Sequence, residues 1–77
     1  MDFTIGGETF SLDAKEVERK LKNVEPEPIQ KLFVVVGERR FPVKQALAVS
    51  AGLIRAGFTT QHAFRIFRKL GFKLGEE

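Results

Sequence analysis

The sequence predicts an α+β fold in one small domain, with two short β-hairpins packed against about three α-helices. Short runs of β-branched and aromatic residues flank glycine-containing pairs, which is the pattern of hairpins. Three longer segments repeat their apolar residues at helical spacing and are bounded by capping residues. A chain of 77 residues forms one domain, in which residues 1–30 are expected to hold a hairpin, a helix and a connector. Residues 31–74 are expected to form a basic hairpin-helix-helix unit.

The first 30 residues begin with two alternating runs around a glycine pair at 6–7, which predicts the first hairpin. The first helix is expected over about residues 14–23, because Asp13 is a suitable N-cap and apolar residues follow at helical spacing. The segment 24–28 contains two prolines and cannot continue that helix. It is predicted to be a stiff, solvated connector inside the domain.

The second hairpin is the strongest β signal in the chain. Residues 32–36 are β-branched or aromatic, and a two-residue turn is expected at 37–38. This turn would set Val36 opposite Arg39 and would place Arg40 on the other face of the ribbon. The cationic residue Arg40 would therefore lie on a different side from the residues that face the core.

Two more helices and a strand complete the prediction. A second helix is expected at 43–52, with a stripe of small residues that lets a neighbour approach closely. The third helix would be capped by Thr59 or Thr60 and end at Leu70. A short terminal strand is expected at 72–74.

The third helix separates into two faces at 100° per residue. Its apolar face consists of Ala63, Ile66, Phe67 and Leu70, with Phe64 at the margin. Its polar face consists of Gln61, His62, Arg65, Arg68 and Lys69. One face is predicted to pack in the core and the other to meet solvent or a partner.

The cations are distributed unevenly along the chain. Residues 1–37 contain five cationic and seven acidic side chains, a net charge of −2, whereas residues 38–77 contain eight and three, a net charge of +5. All eight of these cations fall between Arg39 and Lys73, and no acidic residue lies in that interval. A segment of one sign attracts a polyanion, so nucleic acid is the first candidate partner.

The predicted nucleic-acid-binding residues are Arg39, Arg40, Lys44, Arg55, Thr59, Thr60, Gln61, Arg65, Arg68, Lys69 and Lys73. Arginine can read guanine and glutamine can read adenine, while hydroxyl and N–H groups at a helix start suit a phosphate. Duplex DNA is favoured over a single strand, because the phenylalanines at 33, 41, 67 and 72 lie in apolar patterns expected to be core. The alternative for the third helix is a solvated face without a ligand.

Other classes of function find little support in the residue inventory. The chain has no cysteine and one histidine, His62, so no thiol nucleophile, thiolate zinc site or recognisable metal spacing is present. No glycine-rich phosphate loop appears. We therefore expect a protein that is not an enzyme and needs no cofactor. Apolar runs are far shorter than a membrane span, and the N-terminus lacks a signal pattern, which predicts a cytoplasmic protein without membrane contact.

A set of residues in the second half matches a known pattern: the run at 32–36, the segments 40–42 and 44–46, Gly52, 58–59, 63–68 and 70–72. This pattern resembles the small N-terminal DNA-binding domain of modification-dependent HNH restriction endonucleases, over residues 31–74. The resemblance implies a DNA-binding module and leaves open whether the DNA is modified. It does not imply cleavage, because the chain has no HNH segment.

A protein-interaction module is the alternative function, with the basic face docking an acidic partner as an adaptor or inhibitor would. The acidic residues Glu25 and Glu27 of the connector fit this alternative. They could contact a basic partner or cover the domain's own basic face.

Overall fold

The computed structural model describes residues 1–77 and has an α+β architecture with three helices and two small antiparallel sheets, as predicted. The elements in chain order are β1 (Asp2–Ile5), β2 (Glu8–Ser11), α1 (Ala14–Leu21), β3 (Leu32–Val36), β4 (Arg39–Pro42), α2 (Val43–Ala51), a 3₁₀ turn (Arg55–Gly57), α3 (Thr60–Leu70) and β5 (Lys73–Glu76). None of these helices is both long enough and apolar enough to cross a membrane.

The second hairpin has the predicted register, with Val36 opposite Arg39. Its turn residues Gly37 and Glu38 have φ angles of 58° and 66°, so both are left-handed. A two-residue hairpin turn of this type needs positive φ at both positions because its twist then matches that of the strands. The terminal strand β5 pairs with the other edge of β3, which produces a three-stranded sheet in the order β4-β3-β5.

The core lies between this sheet and the three helices. Val34 and Val36 of β3 belong to the main buried cluster, together with Phe41 from β4. From α3, Phe67 is fully buried in the same cluster. Burying a side chain of this size stabilises a fold by roughly 1.5–3 kcal/mol, so the sheet's inner face holds the helices in place.

Phe33 is buried, as expected, but on the opposite face of β3. Side chains alternate across a strand, so Phe33 and Val35 point away from the helices. Phe33 is only 9% exposed because its ring lies against Gly75 of β5 and under the guanidinium of Arg40. The sheet therefore has an outer face that no helix covers.

The helix ends follow the predicted capping residues closely. A carboxylate oxygen of Asp13 accepts the N–H of Glu16 at 2.8 Å, and α1 ends at Leu21, two residues before the predicted end. Thr59 is the N-cap of α3, since its hydroxyl accepts the N–H of His62 at 3.1 Å. His62 Nδ1 in turn accepts the N–H of Thr59, so the single histidine is part of a cap.

Candidate nucleic-acid interface

The exposed face of α3 is the first part of the candidate site. Gln61, Arg65, Arg68 and Lys69 are all exposed, because Ala63, Ile66 and Phe67 turn the other side of the helix into the core. The helix contains no acidic residue. None of its cations takes part in an ion pair, since the three pairs in the structure join Arg19 to Glu16, Lys31 to Glu76 and Arg55 to Glu27. No cation on this face therefore forms an ion pair with a carboxylate of the protein.

A cleft at the start of α2 and α3 is the second part. It has a volume of about 370 Å³ and lies between the connector and the N-terminal ends of the two helices. Four predicted residues line it together: Lys44, Arg55, Thr60 and Gln61. Lys31 also lines it and was missed, because it precedes the cation-rich interval.

One carboxylate lines the same cleft. Both terminal guanidinium nitrogens of Arg55 donate to the Glu27 carboxylate, Nη1 to Oε1 at 2.7 Å and Nη2 to Oε2 at 2.5 Å. The hydrogen bond from Arg55 lowers the pKa of Glu27 below its ordinary value of 4.5; desolvation opposes this, and the positive charge of Arg55 adds to the lowering. The same contact raises the pKa of Arg55. Glu27 is exposed as expected, but it covers a cation of its own domain.

Gln45 holds the connector in place, and sequence reasoning missed it. Its side chain is 4% exposed. Its Oε1 accepts the N–H of Glu27 and its Nε2 donates to the carbonyl of Glu25, both at 2.9 Å. Helical spacing places Gln45 opposite the apolar stripe of α2, which predicts exposure. Only the connector folding over α2 buries it, and no local pattern reveals that contact.

Arg39 has a structural role at the end of α1 and does not lie on the exposed face of α3. Its Nη1 donates to the carbonyl of Val24 at 2.8 Å, and its Nη2 donates to those of Leu21 at 2.6 Å and Lys22 at 3.0 Å. The last carbonyls of a helix have no partner inside the helix, so a cation at this position both bonds them and complements the helix dipole. Its guanidinium carbon also lies 4.9 Å from the ring centre of Phe41.

The remaining predicted residues do not join α3 on one face. Arg40 lies over the Phe33 ring at 4.7 Å, on the sheet's outer face. Lys73 pairs with Val35 in the sheet register and so shares that face. The polar side of α3 points away from the sheet, because α3 packs on the sheet's inner face. Thr59 is exposed, but its hydroxyl already caps α3. The structure therefore divides the expected basic face into α3, the cleft and the outer sheet face.

No group of three or more His, Asp or Glu side chains is placed to hold a metal ion. Lys44 has no carboxylate partner, and its Nζ lies 5.5 Å from the ring centre of the buried Phe58. The chemistry that the site offers is thus anion binding by arginine, lysine, hydroxyl and amide groups.

Searches of curated proteins and of solved structures found no match to the chain. A family model described as SCO5918-like matches residues 1–77. Nothing in these comparisons links the chain with HNH restriction endonucleases. The sequence pattern that resembles their N-terminal domain covers residues 31–74 only. The family match also includes the acidic first part of the chain, the connector and the cleft that the connector helps to form. The chain belongs to the SCO5918-like family.

Proposed function

We propose that this protein is a non-catalytic nucleic-acid-binding module of the cytoplasm that holds double-stranded DNA against the exposed face of α3. One observation carries the proposal: α3 presents Gln61, Arg65, Arg68 and Lys69 to solvent, without an acidic residue on the helix and without an ion pair to any of the cations. A helix that only needed solubility could mix both signs of charge on this face. On a helix that binds a polyanion, each acidic residue on this face would add repulsion.

The spacing of the α3 side chains suits the major groove, which is about 12 Å wide and admits an α-helix. Gln61, Arg65 and Arg68 lie at i, i+4 and i+7, so they form one line along the helix. At 1.5 Å per residue the line is about 10 Å long, roughly three base-pair steps of duplex DNA. Each of these side chains can therefore reach a different base pair, while Lys69 at the side of the line suits a phosphate.

The resemblance of residues 31–74 to the N-terminal domain of modification-dependent HNH endonucleases supports the same proposal. In that case the module would be one that prefers DNA carrying a modified base. Comparing the affinities of methylated and unmethylated duplexes of one sequence tests this part. Equal affinities would limit the proposal to unmodified or sequence-independent binding.

The primary test is fluorescence anisotropy of a labelled duplex at roughly 50 and 200 mM salt, where log K should fall against log salt by about 0.9 for each phosphate contacted. Replacing Arg65 and Arg68 by alanine should weaken binding by at least about tenfold, because each lost contact costs about 1 kcal/mol or more. The melting temperature should stay nearly unchanged, since both side chains are exposed.

A matched control separates α3 from total charge. Lys15 and Lys20 are exposed on α1 and form no ion pair, so replacing both by alanine removes the same two positive charges elsewhere. The α1 variant should lose far less affinity than the α3 variant. Equal losses would show that binding does not use α3, and absence of binding at the lower salt concentration would refute the proposal.

A protein-interaction module is the second candidate, and one feature of the surface favours it. Ile54 is 80% exposed beside Leu53, at a small cleft of about 260 Å³ that Ile5 also lines. Protein interfaces combine an apolar centre with a polar rim, so this turn could be the centre of a contact with an acidic partner. Without duplex binding at low salt, capture of one acidic protein that is lost in Ile54→Ser would support this candidate.

A further inference from the structure

We infer that the cleft at the start of α2 and α3 is a phosphate-binding site in which the Glu27 carboxylate occupies the place of a ligand phosphate. The inference deepens the proposed function and rests on it in one respect, which is that the phosphate belongs to a nucleic-acid backbone. The site is separate from the exposed face of α3, although Gln61 belongs to both.

The charges that line the cleft favour an anion. Lys31, Lys44 and Arg55 are its cations and Glu27 is its one carboxylate, so the lining has a net charge of +2. Lys31 is also paired at 3.7 Å with Glu76, which lies outside the lining, so Lys44 and Arg55 are the main cations of the site. Thr60 adds a hydroxyl donor beside them. A volume of about 370 Å³ falls within the size range of ligand sites and leaves room for a phosphate with the sugar attached to it.

The contact between Arg55 and Glu27 has the geometry of arginine bound to an oxyanion. Two parallel N–H donors of one guanidinium meet two oxygens of one acid group, an arrangement that arginine uses equally for carboxylate and phosphate. Both side chains are nearly half exposed, at 47% and 45%, so solvent screens the pair and little stability depends on it. A backbone phosphodiester carries the same single charge as a carboxylate, so it can replace Glu27 because the existing pair is weak.

The connector does not need the Glu27 carboxylate to stay in place. Gln45 binds the backbone N–H of Glu27 and the backbone carbonyl of Glu25, and both hydrogen bonds persist when the carboxylate turns away. The competing group can thus leave the cleft without any movement of the connector. This arrangement makes Glu27 an internal competitor for the site.

The N-terminal ends of α2 and α3 add to the positive electrostatic potential of the cleft. The N-cap of α2 is Pro42, which gives no side-chain acceptor to the first N–H groups of that helix. Val43 and Lys44, the first residues of α2, line the cleft together with Thr60, the first residue of α3. Free N–H groups at a helix start attract anions, so they act in the same direction as the cations.

The test is a ¹H–¹⁵N NMR titration with inorganic pyrophosphate of the wild type, Glu27→Gln and Glu25→Gln. The two variants remove the same charge from the same connector, but the Glu25 carboxylate forms no ion pair. We expect amide shifts at Lys44, Arg55 and Thr60, with an affinity at least threefold higher in Glu27→Gln than in the wild type. Glu25→Gln should stay near the wild type. Absence of shifts in the cleft, or an equal gain in both variants, would overturn the inference.

A second experiment determines whether the bound phosphate belongs to a nucleic-acid backbone or to a small molecule. Duplex anisotropy of the same three proteins should show tighter binding for Glu27→Gln than for Glu25→Gln. If pyrophosphate binds in the cleft and the two variants bind duplex equally, the backbone is excluded as the source and a small phosphorylated molecule takes its place. If duplex binding depends on Arg65 and Arg68 but pyrophosphate does not bind, the cleft inference fails alone. If pyrophosphate binds and duplex does not, the proposed function fails, and the cleft remains a phosphate site whose ligand is not a nucleic-acid backbone.

Discussion

Replacing Gln45 by alanine is expected to lower the free energy of unfolding by about 2 kcal/mol, because each of its two hydrogen bonds to the connector contributes about 1 kcal/mol. The bonds to Glu25 and Glu27 are both 2.9 Å long, and Gln45 is 4% exposed, so water does not compete for them in the folded protein. In the variant, the freed backbone groups belong to exposed residues that water can reach. The full cost of buried, unsatisfied groups therefore does not arise, which keeps the value near the sum of two ordinary hydrogen bonds.

Thermal unfolding followed by circular dichroism measures this loss. For a domain of this size 1 kcal/mol shifts the melting temperature by about 4–8 °C, so we expect a decrease of roughly 8–16 °C. Gln61→Ala is the matched control, since it removes the same side chain from an exposed position and should change stability by less than about 0.5 kcal/mol. Equal melting temperatures for the two variants would show that Gln45 does not hold the connector.

Three further changes test other contacts of the fold. Arg39→Lys keeps the charge but loses the forked contact with the end of α1, so we expect the free energy of unfolding, measured in urea, to fall by about 1–2 kcal/mol. Duplex affinity should stay within about twofold of the wild type. Weaker duplex binding with unchanged stability would contradict this. Since Arg55 lowers the pKa of Glu27, the ion pair stabilises the fold above pH 4.5, and this contribution disappears as the pH falls through the lowered pKa. Because the pair is exposed, the wild type should melt only slightly above Glu27→Gln at pH 7, and the two melting temperatures should converge in acid. A difference that stays constant with pH would refute the role of the pair. Gly75→Ala would place a Cβ within 2.8 Å of the Phe33 ring atom Cε1, so we expect the free energy of unfolding to fall by about 1–3 kcal/mol. Replacing glycine by alanine in a strand ordinarily stabilises a protein, so a melting temperature at or above that of the wild type would contradict this clash.

Much of the fold could be predicted because its signals are local. The turn at Gly37 and Glu38 follows from two residues between two strand-like runs, and it sets the register of the hairpin. The start of α3 follows from Thr59, and its two faces follow from helical spacing alone. Helical spacing therefore predicts correctly that Arg65 lies on the exposed face.

Parts of the candidate site depend on contacts that join distant positions. Arg39 bonds carbonyls 15 to 18 positions earlier in the chain, and only this contact distinguishes a helix cap from a free cation. The two hydrogen bonds between Gln45 and the connector join residues that are 18 and 20 positions apart in the chain. The helical period predicts which side of α2 faces the main core, but it has no information about a connector that folds over the other side.

The sequence by itself determined the fold class, the helix and strand order, the excess of positive charge after residue 38 and the two-faced third helix, because each of these depends on neighbours a few positions apart. The tertiary structure decided which cations are free. It brought Glu27 to Arg55 across 28 positions, bound Arg39 to the end of α1 and left α3 without any carboxylate partner. The physical reason is that the field of a charge depends on its distance from other charges in space, and chain folding sets that distance.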